Sequence, residues 1–344
     1  MAARHRSSSR LATGRTARLC RLFALLGVSV ALAAGIVASA ATLLSSSADS
    51  GPPAPIPRTP ALMSRTPGLV PTPALVPQTT AGLRSLDAAG MRRSYLVVAP
   101  ARLHADLPLL VVLHGRAVTV QQEAVRTGFL PLAQRGEAII VYPIGFAQSW
   151  NAGHGCCGQA AVAGVNDTDF VADVVADAER QLSIDPSRVY LVGYSNGGKL
   201  AFREVCDHPT TFAAFATYGA VPLEPCTNRR APAIPALISA GTADSELTTT
   251  DPPRTATHAV DEAVARWRVR DGCSQSATTT RIAPVTEIAW ADCRNGSAVG
   301  SAMYSGVTHY WPSSGSTSVP FSAAVDPQAA AATVMWGFLS HHRS

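Results

Sequence analysis

Short apolar runs alternate with amphipathic segments along most of this chain, and this alternation limits the folds open to it. Residues 108–114 (PLLVVLH), 138–143 (AIIVYP) and 188–193 (RVYLVG) are largely apolar, as expected of strands buried on both faces of a sheet. Residues 167–182 place apolar side chains at helical spacing and begin with acidic residues, which favours an amphipathic helix. The alternation predicts an α/β fold, with a mostly parallel sheet covered by helices on both faces.

The same periodicities predict the remaining elements. Further strands are expected at 95–99, 213–219 and 235–241, and helices at 121–134, 197–206, 259–270 and 326 to about 341. In the last helix, Asp326 is expected to be the N-cap and Pro327 the first helical residue. Asp185-Pro186 is expected to turn the chain.

The N-terminal segment is typical of an export signal. Arginines precede an apolar run from Leu22 to Leu44, and no acidic residue occurs before Asp49. Residues 38–40 (ASA) fit an A-x-A cleavage site, although the run is also long enough for an uncleaved membrane anchor. We therefore predict a signal peptide or anchor over 1–44, a Pro-rich flexible linker over 45–82 and an α/β domain over 83–344, outside the cytoplasm.

The charge of the chain is concentrated at its N-terminus. The formal net charge is +5, but six of the arginines lie within the first 21 residues. The rest of the chain carries 22 basic and 23 acidic residues, which leaves no basic face for phosphate contacts. We expect no nucleic-acid partner.

Cysteine usage agrees with an exported domain. Apart from Cys20 in the N-terminal segment, the chain contains Cys156, Cys157, Cys206, Cys226, Cys273 and Cys293. An even number of cysteines in an exported chain predicts disulfides. Proximity favours Cys206–Cys226 and Cys273–Cys293, and the partner of Cys156 and Cys157 stays open. A zinc site is the alternative, but no C-x-x-C pair with partner histidines occurs.

A G-x-S-x-G motif lies between a predicted strand and a predicted helix. Gly193-Tyr194-Ser195-Asn196-Gly197 follows the apolar run VYLV and opens the segment GGKLAF. A strand–turn–helix context is what a nucleophile elbow requires. The flanking glycines would permit a strained backbone at Ser195, and the helix N-terminus would favour developing negative charge. The alternative is an ordinary turn with a capping serine.

A nucleophilic serine needs a base, and the base needs an orienting acid. After Ser195 the candidate acid is Asp244, directly beyond an apolar strand, and its rivals are Glu246, Asp251 and Asp261. The candidate base is His309 in the loop SGVTHYWP, and its rivals are His258, His341 and His342. The backbone N–H of Asn196 and that of Arg116, or of Gly115, would hold the oxyanion. His114 next to them is expected to be structural rather than a base.

Seven separated segments resemble one family, and they occur in its order: LLVVLHGRAVT, TGFLPLAQRGEAIIVYPIG, SWNAGHGCCG, VNDTDFV, VYLVGYSNGGKLAF, GTAD and THYWP. The chain resembles secreted poly(3-hydroxybutyrate) depolymerase-like and feruloyl-esterase-like serine esterases of the LpqC type, related to carbohydrate esterase family one. The resemblance covers about residues 83–342. It implies an α/β-hydrolase catalytic domain over 83–344.

The resemblance also implies site residues. It implies a triad of Ser195, Asp244 and His309, with Trp150 and Asn151 lining the site and Trp311 close to the base. Together with His114 these are the expected substrate-binding residues, and Tyr142 is a further candidate for an apolar wall. The chain departs from the family at Asn166-Asp167, where two acids are usual, and at Val307-Thr308, where glycines usually precede the histidine.

The expected function is that of a secreted serine esterase that acts on short-chain hydroxyalkanoate, acetyl or feruloyl-type carboxylic esters without a metal or organic cofactor. The expected partner is a small or oligomeric ester, and we expect a monomer that could associate with membrane or cell wall through its N-terminus. Two other functions stay open: a cell-wall acyltransferase on the same fold, and a non-catalytic surface binding protein. A serine peptidase is disfavoured, because no propeller or cap domain accompanies the fold.

Overall fold

The computed structural model describes residues 79–103, 105–228, 231–314 and 321–344. The predicted signal or anchor at 1–44 and nearly all of the predicted linker lie outside these residues. The first strand begins at Thr79. This strand begins inside the segment predicted as linker, four residues before the expected domain boundary at residue 83.

The described residues contain α-helices and strands in alternation. The helices are α1 (Val120–Thr127), α2 (Leu130–Gln134), α3 (Gly158–Val162), α4 (Asp167–Gln181), α5 (Asn196–Asp207), α6 (Ala256–Asp271) and α7 (Ala331–Leu339). The strands are β1 (Thr79–Ala88), β2 (Met91–Pro100), β3 (Leu107–Leu113), β4 (Ile139–Pro143), β5 (Ile184–Tyr194), β6 (Ala214–Tyr218), β7 (Ala236–Gly241), β8 (Thr249–Thr250), β9 (Pro253–Arg254), β10 (Thr278–Ile282), β11 (Val285–Trp290), β12 (Val299–Tyr304), β13 (Trp311–Ser313) and β14 (Ser322–Ala324).

One large sheet organises the described part of the chain. Its strand order is β1-β2-β4-β3-β5-β6-β7-β12-β11-β10. The central strands from β4 to β12 pair in parallel, whereas β1–β2 and β10–β11 add antiparallel pairs at the two edges. A parallel sheet needs helical crossovers, and these bring the carboxyl ends of β5, β6 and β7 to one edge, where ligands bind in such folds.

Helices cover both faces of this sheet, as the alternation predicts. Alternate residues of β3 face opposite ways: Leu109 and Val111 pack with side chains of α4, α5 and α6, and Leu110 and Val112 pack with side chains of α1, α2 and α7. The central strands are buried on both faces, which explains their continuous apolar runs. The predicted α/β-hydrolase fold is confirmed.

Several predicted elements need correction. The helix expected at 121–134 is two helices, because Gly128 adopts φ 76° and ends α1 as a left-handed C-cap. The final helix begins at Ala331 rather than Pro327, since the Asp326 carboxylate accepts the N–H of Gln328 in a turn instead of capping a helix. Asp185-Pro186 lies inside β5. The hairpin of β10 and β11 was not predicted, because β10 is largely exposed, β11 is mostly half-buried, and neither has a continuous apolar run.

Three disulfides link the six cysteines of the domain. Cys206–Cys226 and Cys273–Cys293 are bonded as proximity predicted, and Cys156 is bonded to its neighbour Cys157. Disulfides are typical of proteins in oxidising compartments. In the part of the chain that the structure describes, we find no helix of the length and apolarity needed to cross a membrane.

Candidate active site

The G-x-S-x-G motif forms a sharp turn from β5 into α5. Ser195 has φ 53° and ψ −117°, a backbone conformation that is strained for a residue with a side chain. The turn is tight because the flanking glycines have no side chain. A Cβ at Gly193 would lie 2.6 Å from the Gly198 Cα, and a Cβ at Gly197 would lie 2.6 Å from the His114 carbonyl oxygen. Replacing either glycine would therefore push Ser195 out of place.

The structure brings Ser195, His309 and Asp244 into one hydrogen-bonded row. His309 Nε2 lies 2.8 Å from Ser195 Oγ, and His309 Nδ1 lies 2.8 Å from Asp244 Oδ2. These residues come from three different segments: the end of β5, the loop after β7 and the loop after β12. A serine, an imidazole and a carboxylate in this order can generate a nucleophile, hold its proton and stabilise the charged imidazole.

Asp244 is fully buried and has partners for both carboxylate oxygens. Oδ2 faces His309, and Oδ1 accepts the backbone N–H of Glu246 at 2.9 Å. The rival acids Glu246, Asp251 and Asp261 are exposed. The rival bases lie elsewhere: His258 faces Glu262 on α6, and His341 and His342 follow α7.

Gly219, directly after β6, lies against the imidazole, and this role was not predicted from the sequence. Its φ is 64°, and a Cβ added there would lie 2.8 Å from His309 Cε1 and 3.0 Å from Nδ1. The absence of a side chain at Gly219 therefore lets His309 reach between Asp244 and Ser195. A glycine directly after a buried strand was the only signal of this role in the sequence.

The candidate oxyanion donors belong to segments next to Ser195. A Cβ at Gly115 would lie 3.5 Å from the Ser195 Cβ, so the segment after β3 runs beside the nucleophile. Among the described residues, no acceptor contacts the backbone N–H of Arg116. Asn196 is the first residue of α5, a position whose N–H has no acceptor inside the helix. Both N–H groups are thus available for an oxygen at Ser195.

The Asn196 side chain has a separate contact that the sequence did not predict. Its Oδ1 accepts the backbone N–H of Trp150 at 2.8 Å, and its Nδ2 donates to the Trp150 carbonyl at 3.0 Å. This paired bond fixes the loop after β4 against the start of α5. The Asn196 side chain therefore helps to set the shape of the loop beside Ser195.

The prediction that buried aromatic side chains form an apolar wall of the substrate site is wrong. Trp150, Trp311 and Tyr142 are fully buried, so none of them can present its ring to a substrate at the surface. The Trp150 indole N–H donates to the His114 carbonyl at 2.8 Å, and that of Trp311 donates to the Thr127 carbonyl at 3.2 Å. The sequence could not distinguish an aromatic side chain beside a site from one packed behind it.

His114 and Asn151 brace the loops around the site. His114 is buried, and its Nε2 accepts the N–H of Gly145 at 3.0 Å while its Nδ1 faces the Gly115 carbonyl. Burial lowers the pKa of His114 to about 4, which keeps the ring neutral and agrees with a structural role. Asn151 donates its side-chain amide to the Val165 carbonyl and its backbone N–H to Asp167.

Two exposed aromatic residues contact each other, and one of them follows His309 in the chain. Tyr310 and Phe321 are 45% and 46% exposed, and their rings meet edge to face at 5.8 Å. Tyr310 directly follows His309 in the chain. Among the described residues, no group of three or more His, Cys, Asp or Glu side chains is arranged to hold a metal ion.

Part of the chain is similar to a known protein family. Residues 93–229 match the model of the family described as "Esterase PHB depolymerase". This part of the chain is therefore similar to members of that esterase family. The matched residues include the G-x-S-x-G motif and the loop after β3, whereas Asp244 and His309 lie beyond them.

Two curated proteins are related in sequence. The chain is 29% identical over 223 residues to "Putative esterase NocK" of Nocardia uniformis subsp. tsuyamanensis, a match that covers 62% of this chain and 63% of that protein. It is 30% identical over 129 residues to the bifunctional acetylxylan esterase/xylanase XynS20E of Neocallimastix patriciarum, covering 37% of this chain and 18% of that protein. The chain thus spans less than two thirds of the length of either relative.

The fold has counterparts among solved structures. The acetyl xylan esterase of Aspergillus awamori superposes with a TM-score of 0.51 and 14% identity, over 66% of this chain and 94% of that protein. Identity at this level shows a shared fold and does not extend to substrate. It agrees with the α/β-hydrolase architecture described above.

Proposed function

We propose that this protein is a serine esterase that hydrolyses carboxylic esters through an acyl-enzyme. The observation that carries the proposal is the row Asp244–His309–Ser195, with both contacts at 2.8 Å and the serine on a strained strand-to-helix turn. Backbone strain persists where function uses it. The match of residues 93–229 to an esterase family supports the same conclusion.

In the proposed mechanism Ser195 Oγ attacks the ester carbonyl while its proton passes to His309 Nε2. Asp244, buried and bonded to Nδ1, stabilises the imidazolium that forms. The negative oxygen is held by the N–H groups of Asn196 and Arg116. His309 returns the proton to the leaving alcohol, and water then repeats the sequence to release the acid and restore Ser195.

The proposed substrates are esters of short hydroxyalkanoic, acetic or feruloyl-type acids. The names of the related proteins support the acetyl group as one candidate. The exposed ring of Tyr310, which follows His309 in the chain, contacts the exposed ring of Phe321, and this pair supports an apolar or aromatic acyl group. The three disulfides support the proposal that the domain works outside the cytoplasm, as the N-terminal segment predicts.

The test is hydrolysis of p-nitrophenyl esters of increasing acyl length. Ser195→Ala should reduce kcat/KM at least about a thousandfold, because the nucleophile is lost while the fold is kept. The matched control is Ser85→Ala, which removes an exposed hydroxyl on β1. The control should retain the parent rate.

Two results would contradict the proposal. One is a folded parent protein that hydrolyses none of the esters. The other is a Ser195→Ala variant that keeps the parent rate, which would place any activity at another residue.

A further inference from the structure

Two separate sets of hydrogen bonds hold the loop that carries His309. At its start, Gly306 N–H donates to Thr242 Oγ1 at 2.9 Å, and the Val307 carbonyl accepts the N–H of Ala243 at 3.0 Å. These bonds tie the loop to the segment that leads to Asp244. The next two carbonyls, of Thr308 and His309, accept no backbone N–H among the described residues.

Two tyrosine hydroxyls contact these carbonyls instead. Tyr218 Oη lies 3.3 Å from the Thr308 carbonyl oxygen, and Tyr194 Oη lies 3.0 Å from the His309 carbonyl oxygen. Both tyrosines are buried. Burial raises the pKa of each phenol well above its ordinary value, so both hydroxyls stay protonated and act as donors.

The same two tyrosines also hold the nucleophile. Tyr194 directly precedes Ser195 in β5. The carbonyl of Tyr218, on the neighbouring strand β6, accepts the Ser195 N–H at 2.9 Å. Each tyrosine therefore connects the backbone at the serine with the backbone at the histidine.

The rings are fixed from several sides. The Arg126 guanidinium lies 4.2 Å from the Tyr194 ring centroid, a favourable cation–π distance. The Trp311 ring meets the Tyr194 ring edge-on at 6.0 Å and the Tyr218 ring at 5.6 Å. Because the two rings are packed in this way, their hydroxyls have fixed positions. They can therefore fix the position of the loop that carries His309.

We propose that Tyr194 and Tyr218 form a clamp that sets the distance between the base and the nucleophile, and that both are positioning residues for catalysis. The inference rests on the proposed esterase function. The clamp explains how the loop that contains Val307-Thr308 presents His309 to Ser195. Neither hydroxyl takes part in the chemical steps.

The test removes only the hydroxyls. Tyr194→Phe and Tyr218→Phe keep the rings and lose the hydrogen bond to the loop, and the double variant loses both. The matched control is Tyr190→Phe. Tyr190 is on β5 as well and is buried, and its hydroxyl donates to the His342 carbonyl at 2.8 Å near the C-terminus. Melting temperature, kcat and KM for p-nitrophenyl acetate are measured for all four variants.

We expect comparable losses of melting temperature for the three single variants, because each leaves a carbonyl without its donor. The kcat should fall about three- to tenfold in Tyr194→Phe and Tyr218→Phe, and further in the double variant. KM should stay within about twofold of the parent value, because binding is untouched. Tyr190→Phe should keep the parent kcat.

The inference is overturned if the double variant, folded at the assay temperature, has the parent kcat. It is also overturned if Tyr190→Phe loses as much kcat as the clamp variants, since the effect would then be general destabilisation. These results differ from a failure of the proposed function, which would appear as activity that persists in Ser195→Ala.

Discussion

Gly219→Ala perturbs the site sharply without removing any of its polar groups. The new Cβ would lie 2.8 Å from His309 Cε1 and 3.0 Å from Nδ1, where ordinary contacts begin at 3.4 Å. The imidazole would have to move by several tenths of an ångström. Its two nitrogens lie 2.8 Å from Asp244 Oδ2 and Ser195 Oγ. The movement therefore lengthens at least one of these two hydrogen bonds.

The size of the effect follows from two separate costs. The backbone of Gly219, at φ 64°, costs an alanine about 1–2 kcal/mol, which lowers the melting temperature by a few degrees. A misplacement of about 1 Å at a reacting group can cost about a hundredfold in rate. We therefore predict that kcat for p-nitrophenyl acetate falls about 30- to 100-fold, while KM changes little.

Gly90→Ala is the matched control. Gly90 has φ 77° in the turn between β1 and β2, and nothing lies within 4 Å of a Cβ added there. An alanine at this position has a similarly unfavourable backbone conformation but makes no contact with His309. Both variants should lose similar stability in thermal melts, and only Gly219→Ala should lose kcat. A folded Gly219→Ala with the parent kcat, or an equal loss in Gly90→Ala, would refute the reasoning.

Three further predictions concern stability and substrate contact. Burial raises the pKa of Glu204 well above its ordinary value, so its contribution to stability is full below the unfolded-state pKa and is lost as pH rises through the folded-state pKa. Glu204→Gln should therefore raise the melting temperature more at pH 8 than at pH 4. Replacing Cys206 and Cys226 together by Ala should cost about 3 kcal/mol in urea denaturation, because their bond joins residues 20 positions apart. Tyr310→Ala should raise KM for aromatic acyl esters several-fold in initial-rate assays and leave acetyl esters within about twofold, because an exposed ring beside His309 can contact only the larger group.

Each of these predictions has a contradicting result. For Glu204→Gln it is a difference in melting temperature from the parent that is the same at pH 4 and pH 8. For the cysteine pair it is an unchanged midpoint in urea. For Tyr310→Ala it is a loss of the same size for both ester classes, or an equal loss in Leu83→Ala, which removes an exposed apolar side chain on β1.

The parts of the fold that the sequence predicted are those with strong local signals. The runs that became β3 and β4 and the second half of β5 are apolar because both of their faces are buried. The turn at Ser195 was predictable because two glycines flank a serine where a strand pattern meets a helix pattern. The pairs Cys206–Cys226 and Cys273–Cys293 followed from proximity along the chain.

The parts that were missed depend on tertiary contacts. Nothing local distinguishes Trp150 and Trp311, which pack behind the site, from Tyr310, which is exposed beside it. The end of α1 at Gly128 overrides a helical periodicity that continues into α2. The role of Gly219 is visible only when β6 and the loop after β12 are in contact, because the two segments lie far apart in sequence.

The most direct test of the central claim is to find the acyl group itself. The protein is mixed rapidly with p-nitrophenyl acetate, quenched in acid, and analysed by intact mass and peptide mapping. We predict one acetyl group on the peptide that contains Ser195, and none in Ser195→Ala. A protein that hydrolyses the ester while the acetyl group is found on another residue would contradict the account.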